Sequence, residues 1–551
     1  MIEIKAVSSI KKIFLHDNFY TLEQIKTLKC AKGERVSFQL AIKNVTEKRE
    51  KTYATFEVND EFKKYTELYE VGHVPVRYAA YEGMDDYFLS KTPGLYPDVL
   101  YPITDGHELL CEVSNVGSVW VTINLPTRIK AGRHAVEITV TCTIKEQVFK
   151  ETVTVELDVK KTVMPGNDLI YTQWFHCDCI ADYYGVPMMS KKHWYYIEQF
   201  MKTAAKTGIT MILTPLFTPP LDTVIGGERP TMQLVGVSKD GDKYNFDFTL
   251  LDKWVSLCHK YGIEYFELSH LFTQWGVGYC PKIIVDGKNE FGWDVASDSE
   301  KYQDFLRQLL PKLTDHLKEL GIADKCYFHI SDEPRKKDDR PDFENYKAAY
   351  ELIKPYIEGF KNMDAISDID FYQTGMVEVP VPFIGHIQPF LERDIKERWC
   401  YYCSSKVRNL PDRFIAFPSS RTRVLGTLLF MYDMVGFLQW GFNFYYVNRA
   451  RYKVDPYLVT DAECTWPAGN AFSVYPDKKG GAALESIRTK VFYDALQDRM
   501  LLKALADKIG IDEAKKVVQE VAHGKITSFL DYPTDDGFLP ALHDKILDIL
   551  G

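Results

Sequence analysis

Two acidic side chains stand next to each other at Asp332 and Glu333, in the run Cys326-Tyr-Phe-His-Ile-Ser-Asp-Glu-Pro334. Carboxylates held together repel, so burying the pair raises the pKa of at least one and keeps it protonated near neutral pH, as a general acid requires. The residues around them suit that task. Tyr327-Phe-His-Ile330 is apolar enough for a strand. Pro334 has no N–H for a ladder, so it ends the strand and pushes Glu333 toward extended backbone. Side chains on a continuous strand alternate, whereas two neighbours at a frayed end can lean into one pocket. On the motif alone, an Asp-Glu-Pro loop that merely faces water stands as the alternative.

Other apolar runs end in complementary groups. One carries Gln173-Trp-Phe-His176-Cys-Asp178-Cys-Ile-Ala-Asp-Tyr183-Tyr184, a second Glu267-Leu-Ser-His270-Leu-Phe-Thr-Gln274-Trp275-Gly276, and a third Gln439-Trp440-Gly-Phe-Asn443-Phe-Tyr445-Tyr446. Rings for the apolar face of a pyranose, interleaved with hydrogen-bonding groups for its hydroxyls, are what a sugar site needs. Most rings fill cores and most single histidines are structural, so the clustering at several strand ends carries the reading.

What is missing narrows the chemistry. There is no Walker A loop, strand-linked GxGxxG, HExxH helix or GxSxG elbow, which weakens nucleotide-binding, zincin and serine-hydrolase readings. His176 with Asp178 lacks further metal ligands. Cys400-Tyr-Tyr-Cys403 and Cys177-Asp-Cys179 lack a second CxxC or a His pair, so neither a metal nor a cofactor is expected. The eleven cysteines are odd in number and without framework spacing, as reduced thiols would be. A formal net charge of -10 leaves no positive excess for phosphates and excludes nucleic acid as a partner. The charged amino-terminal residues contain no signal-peptide stretch, so a cytoplasmic protein is expected. The apolar segment from Val424 to Val447 is broken by Asp433, Gln439 and Asn443, a pattern for buried helix plus strand and not for a membrane span.

The elements that must position these groups fall into three stretches. Residues 1–165 alternate with period two, as in Val36, Phe38, Leu40, Ile42 and in Val119, Val121, Ile123, Leu125, which predicts an antiparallel β-sandwich. Lys160-Lys161-Thr-Val-Met-Pro165-Gly166 interrupts the pattern as a boundary does. From 166 to 480 short apolar strands alternate with helical stretches, predicting a (β/α)8 barrel of the TIM type. Its expected strands are Leu169–Phe175, Thr210–Leu213, Tyr265–Leu268, Cys326–Ile330, Ala365–Phe371, Trp399–Tyr402, Gly436–Trp440 and Phe472–Tyr475. Residues 481–551 are predicted as helices that close and cover the barrel. In such a barrel functional groups lie at the carboxyl ends of strands, where Asp332 and Glu333 fall.

Trp174-Phe-His176-Cys-Asp178-Cys, Ser331-Asp332-Glu333-Pro334, Gln439-Trp440-Gly441 and Glu485-Ser-Ile-Arg488, in that order after a β-sandwich, resemble glycoside hydrolase family 123 and its uncharacterised bacterial relatives. The resemblance implies an exo-acting retaining β-N-acetylgalactosaminidase that removes terminal β-GalNAc from glycosphingolipid-type glycans with help from the substrate's own acetamido group. By the motif, Glu333 is the acid/base and Asp332 orients the acetamido N–H. Trp275, Tyr402, Trp440 and Tyr475 are candidates for the acetamido box, and His176, Asp178 and Asn443 for hydroxyl contacts. Two other readings stay open: a two-carboxylate retaining glycosidase with Glu267 or another strand-end acid as nucleophile, and a non-catalytic glycan-binding barrel.

Overall fold

In this computed structural model residues 2–46, 52–104, 106–144, 147–274, 276–336 and 341–551 are described. The alternating apolar residues of the first stretch do what period two dictates. Val36, Phe38, Leu40 and Ile42 meet Val119, Val121 and Ile123 from one five-stranded sheet, and Val136, Ile138, Val140, Val153, Val155 and Leu157 from another, in a single core. Strand pairing is antiparallel except where Gln147–Val163 runs parallel to Thr27–Lys32.

A parallel barrel follows. Its strands are β1 (Ile170–Gln173), β2 (Met211–Thr214), β3 (Tyr265–Leu268), β4 (Cys326–Phe328), β5 (Lys361–Ala365), β6 (Val379–Val381), β7 (Trp399–Tyr402) and β8 (Gly436–Gln439). The order β6-β5-β4-β3-β2-β1-β8-β7 is closed by a parallel bridge between Phe383 and Tyr401. Crossover helices such as Lys191–Lys206, Thr249–Lys260 and Glu300–Glu319 surround it.

Two of the eight expected strands are corrected. The fifth ends at Ala365, and Ile369–Gln373 beyond it is helical. Phe472–Tyr475 is no barrel strand: Phe472 and Tyr475 make only isolated bridges, to Asn443 and Leu484. The sixth barrel strand is Val379-Pro-Val381 instead, three residues with a proline, too short for a periodicity to register. The segment 424–447 is helix Ser419–Met431 and then β8, and no helix among the described residues is long and apolar enough to cross a membrane.

Helix Ile487–Ile509 packs on helix Ser419–Met431, and the chain ends in helices Ile511–Val521 and Phe538–Leu550. Arg488, on the first of these, reaches into the sandwich and binds Asp98 at 2.9 and 2.8 Å, both groups buried. Tyr475 donates its hydroxyl to the same Asp98 at 2.6 Å. This proposed acetamido contact therefore lies at the junction of sandwich and barrel.

Candidate active site

β4 delivers the acidic pair. Past its end, the carbonyls of His329 and Ile330 accept the N–H groups of Leu271 and Phe272 at 3.1 and 3.0 Å, so the chain stays pinned beside β3 until Ser331. Asp332 is 5% exposed and Glu333 half-buried. Glu333 departs from the expected extended backbone: its φ is +47°, and its N–H donates to the Ala365 carbonyl at the end of β5 at 3.1 Å. A left-handed glutamate is strained, and such residues persist where the surroundings over-determine them. Here the next residue, Pro334, contributes no N–H and the β5 contact fixes the turn, so the bend aims both carboxyls from one strand end. Gln274 donates its amide to Asp332 and Tyr401 its hydroxyl to Glu333. Burial, and then the adjacent Glu333, push the Asp332 carboxyl well above the usual carboxylate range.

Beneath the pair the barrel is polar and closed. His329 lies between Asp364, 2.7 Å from Nδ1, and Glu267, 2.8 Å from Nε2, with all three side chains fully buried. Asp364 also accepts from the Tyr346 hydroxyl and the Ile330 N–H, and Glu267 accepts from Thr172 at 2.8 Å and the Trp174 indole at 2.6 Å. Both carboxylates thus meet only donors, and an imidazole between two acceptors carries a proton on each nitrogen. Burial alone would lower His329, but its hydrogen bonds to Asp364 and Glu267 push it up to about 10. His270 stacks on it at 4.2 Å with neither nitrogen hydrogen-bonded among the described residues.

His270, His329 and Asp364 are also the one group of metal-type donors found within 4.8 Å of one another among the described residues. They fit a metal poorly, because both His329 nitrogens already serve carboxylates.

At the mouth, His176 and Asp178 do come together, through Arg229 from the loop after β2. The guanidinium binds Asp178 at 2.8 Å twice and lies 3.2 Å from His176 Nδ1. Burial would raise Asp178, but Arg229 holds it below its usual value, while burial and Arg229 lower His176 to about 3. Asn443 spends its amide on the His176 backbone, accepting its N–H at 2.9 Å and donating to its carbonyl at 3.0 Å. Trp440 is half-buried against Phe444 and Trp466, its indole N–H held by Asn470 at 3.1 Å. The glycine after it is required: a Cβ at Gly441 would come within 2.3 Å of the Ala471 carbonyl. Tyr402 is fully buried on the outer side of β7 against Phe437, its hydroxyl unpaired among the described residues. Trp275 lies outside the described residues.

Several groups escaped the sequence reading. Tyr401 had a signal, since alternation gives Tyr401 and Tyr402 opposite faces, but nothing says which face is inner. Gln274 and His329 stood in the strand-end runs without a visible role. Arg229 had no signal, for it is one charged residue in a loop of more than twenty between β2 and the next barrel element.

The geometry is that of a carboxylate enzyme on a barrel, and comparison with known proteins agrees. The model of the family described as "Glycoside hydrolase 123, catalytic domain" matches residues 174–505. The fold is similar to a family 123 glycoside hydrolase from Clostridium perfringens, studied for glycolipid glycan hydrolysis, with a TM-score of 0.73 at 16% identity over 100% of this chain and 97% of that one. A β-glucuronidase from Parabacteroides merdae aligns over 92% of this chain and 52% of its own, at 10% identity and a TM-score of 0.31. No curated protein sequence matches the chain. With more than half of its length, and the acidic pair, inside the family's catalytic model, the chain belongs to glycoside hydrolase family 123.

Proposed function

We propose that the enzyme is an exo-acting, retaining β-N-acetylgalactosaminidase that releases terminal β-GalNAc from glycosphingolipid-type oligosaccharides by substrate-assisted catalysis. The observation that carries this reading is the adjacency of Asp332 and Glu333 at one strand end: neighbours cannot straddle a scissile bond as acid and nucleophile. Two further buried carboxylates of the strand ends are already occupied, Glu267 by Thr172, Trp174 and His329 and Asp364 by His329, Tyr346 and the Ile330 N–H, which disfavours either as a nucleophile.

The substrate supplies the nucleophile. Its acetamido oxygen, tethered at high effective concentration, bonds to the anomeric carbon as the glycosidic C–O bond breaks. Glu333, steadied at Oε1 by Tyr401, gives a proton to the departing oxygen. Asp332, oriented by Gln274, accepts the acetamido N–H and faces the positive charge that develops on the oxazolinium-like ring. That charge is absent from the ground state, so the Asp332 carboxylate interacts more strongly with the transition state. Deprotonated Glu333 then takes a proton from water as it opens the ring from the same face, with net retention.

Aryl glycosides test the roles. Glu333→Ala should lose about 10²–10⁴-fold on a substrate with a poor leaving group and regain activity when the leaving group needs no proton, whereas Asp332→Ala should stay inactive on both. Equal rescue of the two variants, or faster turnover of aryl β-GlcNAc than of aryl β-GalNAc by the unaltered enzyme, would overturn the assignment.

A further inference from the structure

Gln274 can meet Asp332 with either end of its amide. The NH2 end donates to an ionised carboxylate, whereas the carbonyl end can only accept from a protonated one. The end presented therefore favours one charge state of Asp332 over the other. Here Nε2 faces Asp332 because Oε1 is taken, accepting the backbone N–H of Asp222 at 2.8 Å. What turns the amide is the direction of one N–H in the loop after β2.

Asp222 is half-buried and left-handed, with φ +40°. Such a backbone is strained and persists where its surroundings hold it. The brace comes from the loop after β8. There the chain turns back on itself through a bridge between Tyr446 and Lys453, with the Val454 and Val447 N–H groups donating to the Tyr445 and Tyr452 carbonyls at 2.9 and 3.1 Å. The tip of this hairpin is left-handed too, at Arg449 (φ +60°) and Ala450 (φ +47°). The Arg449 N–H donates to Asp222 Oδ2 at 2.9 Å, and the Arg449 carbonyl accepts the Val224 N–H at 3.0 Å. Two strained turns thus hold each other. Three hydrogen bonds in series then run from the hairpin to the acidic pair: Arg449 N–H to Asp222, Asp222 N–H to Gln274, and the Gln274 amide to Asp332.

We propose that Asp222 is a positioning residue for Asp332: braced by the hairpin after β8, it fixes Gln274 in the orientation that donates, and so keeps the catalytic aspartate available as an anion. The proposal rests on reading Asp332 as the ionised partner of the acetamido N–H. Without the brace the Gln274 amide is free to turn over, and its oxygen then accepts the proton of a neutral Asp332.

The test compares two substitutions. Asp222→Gly removes the brace yet keeps the N–H and suits a left-handed backbone, while Asp222→Asn keeps an oxygen for the Arg449 N–H. In a profile of kcat/KM against pH on an aryl β-GalNAc, the acidic limb reports the group that must be ionised. In Asp222→Gly it should move up by about one unit, for one hydrogen bond lost from a charged group, and in Asp222→Asn it should stay near its original place. The other charged groups facing Asp332, namely Glu333, His329, Asp364 and Glu267, are the same in both variants, as are Arg229 and Arg449 beside Asp222. Both variants also lose a negative charge, which alone would move the limb down. Equal shifts of the two in either direction, or an unmoved limb in Asp222→Gly, would overturn the proposal. Gln274→Met lacks both ends of the amide, so adding Asp222→Gly to it should shift the limb no further; additive shifts would show that Asp222 does not act through Gln274. Asp222→Ala replaces Asp222→Gly should the latter not fold. If the unaltered enzyme leaves the glycoside intact, the functional reading fails and the positioning role is judged on the carboxyl itself, by carbon-13 NMR titration of Asp332 assigned through Asp332→Asn. A titration that moves up in Asp222→Gly and stays in Asp222→Asn supports the role, and any other pattern refutes it.

Discussion

Asp332 is held where an anion is costly. Its carboxyl is pushed well up, first by burial and then by Glu333, and that direction fixes the sign of the stability effect. Below the ordinary carboxylate range the folded and unfolded chains both hold the proton, so the site costs nothing. As pH rises through that range the unfolded chain ionises freely while the folded chain cannot, and stability is lost until the raised folded pKa is passed. Asp332→Asn has no proton to lose. Chemical denaturation should find it equal to the unaltered protein near pH 3 and the more stable of the two at pH 8, although inactive. A variant that is less stable at pH 8, or a gap independent of pH, would mean that Asp332 is not buried at a cost. The pair itself was legible because both acids, the preceding apolar run and the proline are adjacent in sequence. The Glu267–His329–Asp364 array beneath was not, since its members come from three strands and a lone histidine has no signature.

Strand alternation decides which of two neighbouring tyrosines serves the site. In β7 and β8, Tyr401 is in register with Leu438 and Tyr402 with Gln439. Tyr402 shares the outer face with Phe437, which also contacts Phe492 of helix Ile487–Ile509, and Tyr401 shares the inner face. Alternation told the two apart but not inside from outside, because both strands are covered on both faces and read as uniformly apolar. The same limit hid β6, whose three residues are shorter than any period, and misplaced the end of β5 by several residues. Removing the Tyr401 hydroxyl takes a charge-assisted hydrogen bond from Glu333, worth roughly 1.5–3 kcal/mol. Tyr401→Phe should therefore lower kcat about ten-fold or more on a poor leaving group. Tyr402→Phe, which deletes only a buried hydroxyl with no partner among the described residues, should leave kcat within about two-fold and not reduce stability. Steady-state kinetics that reversed this ranking would put Tyr402, not Tyr401, in contact with the reacting groups.

At the scale of the molecule, the Glu485-Ser-Ile-Arg488 motif joins sandwich to barrel. Ser486 caps helix Ile487–Ile509 with a capping box, which sets the first turn so that Arg488 reaches Asp98. Its Nη1 N–H groups go to the Gly469 and Phe472 carbonyls at 2.7 and 2.6 Å, so one side chain ties the sandwich, the segment after β8 and the closing helix together. Glu485 is nearby with Lys490 at 2.9 Å and Lys206 at 3.0 Å, and these cations hold it down to about 2 against its burial. A buried pair of this kind adds little over an apolar pair of the same shape, but removing one partner strands the other charge at a cost of about 3–5 kcal/mol. Arg488→Met should accordingly destabilise the protein by about that amount. Adding Asp98→Leu should recover most of the loss by removing the stranded carboxylate. Calorimetry of the single and double variants distinguishes this from a packing effect: if the double variant is less stable than Arg488→Met alone, the junction depends on the volume of Asp98 and Arg488 and not on the pairing of their charges.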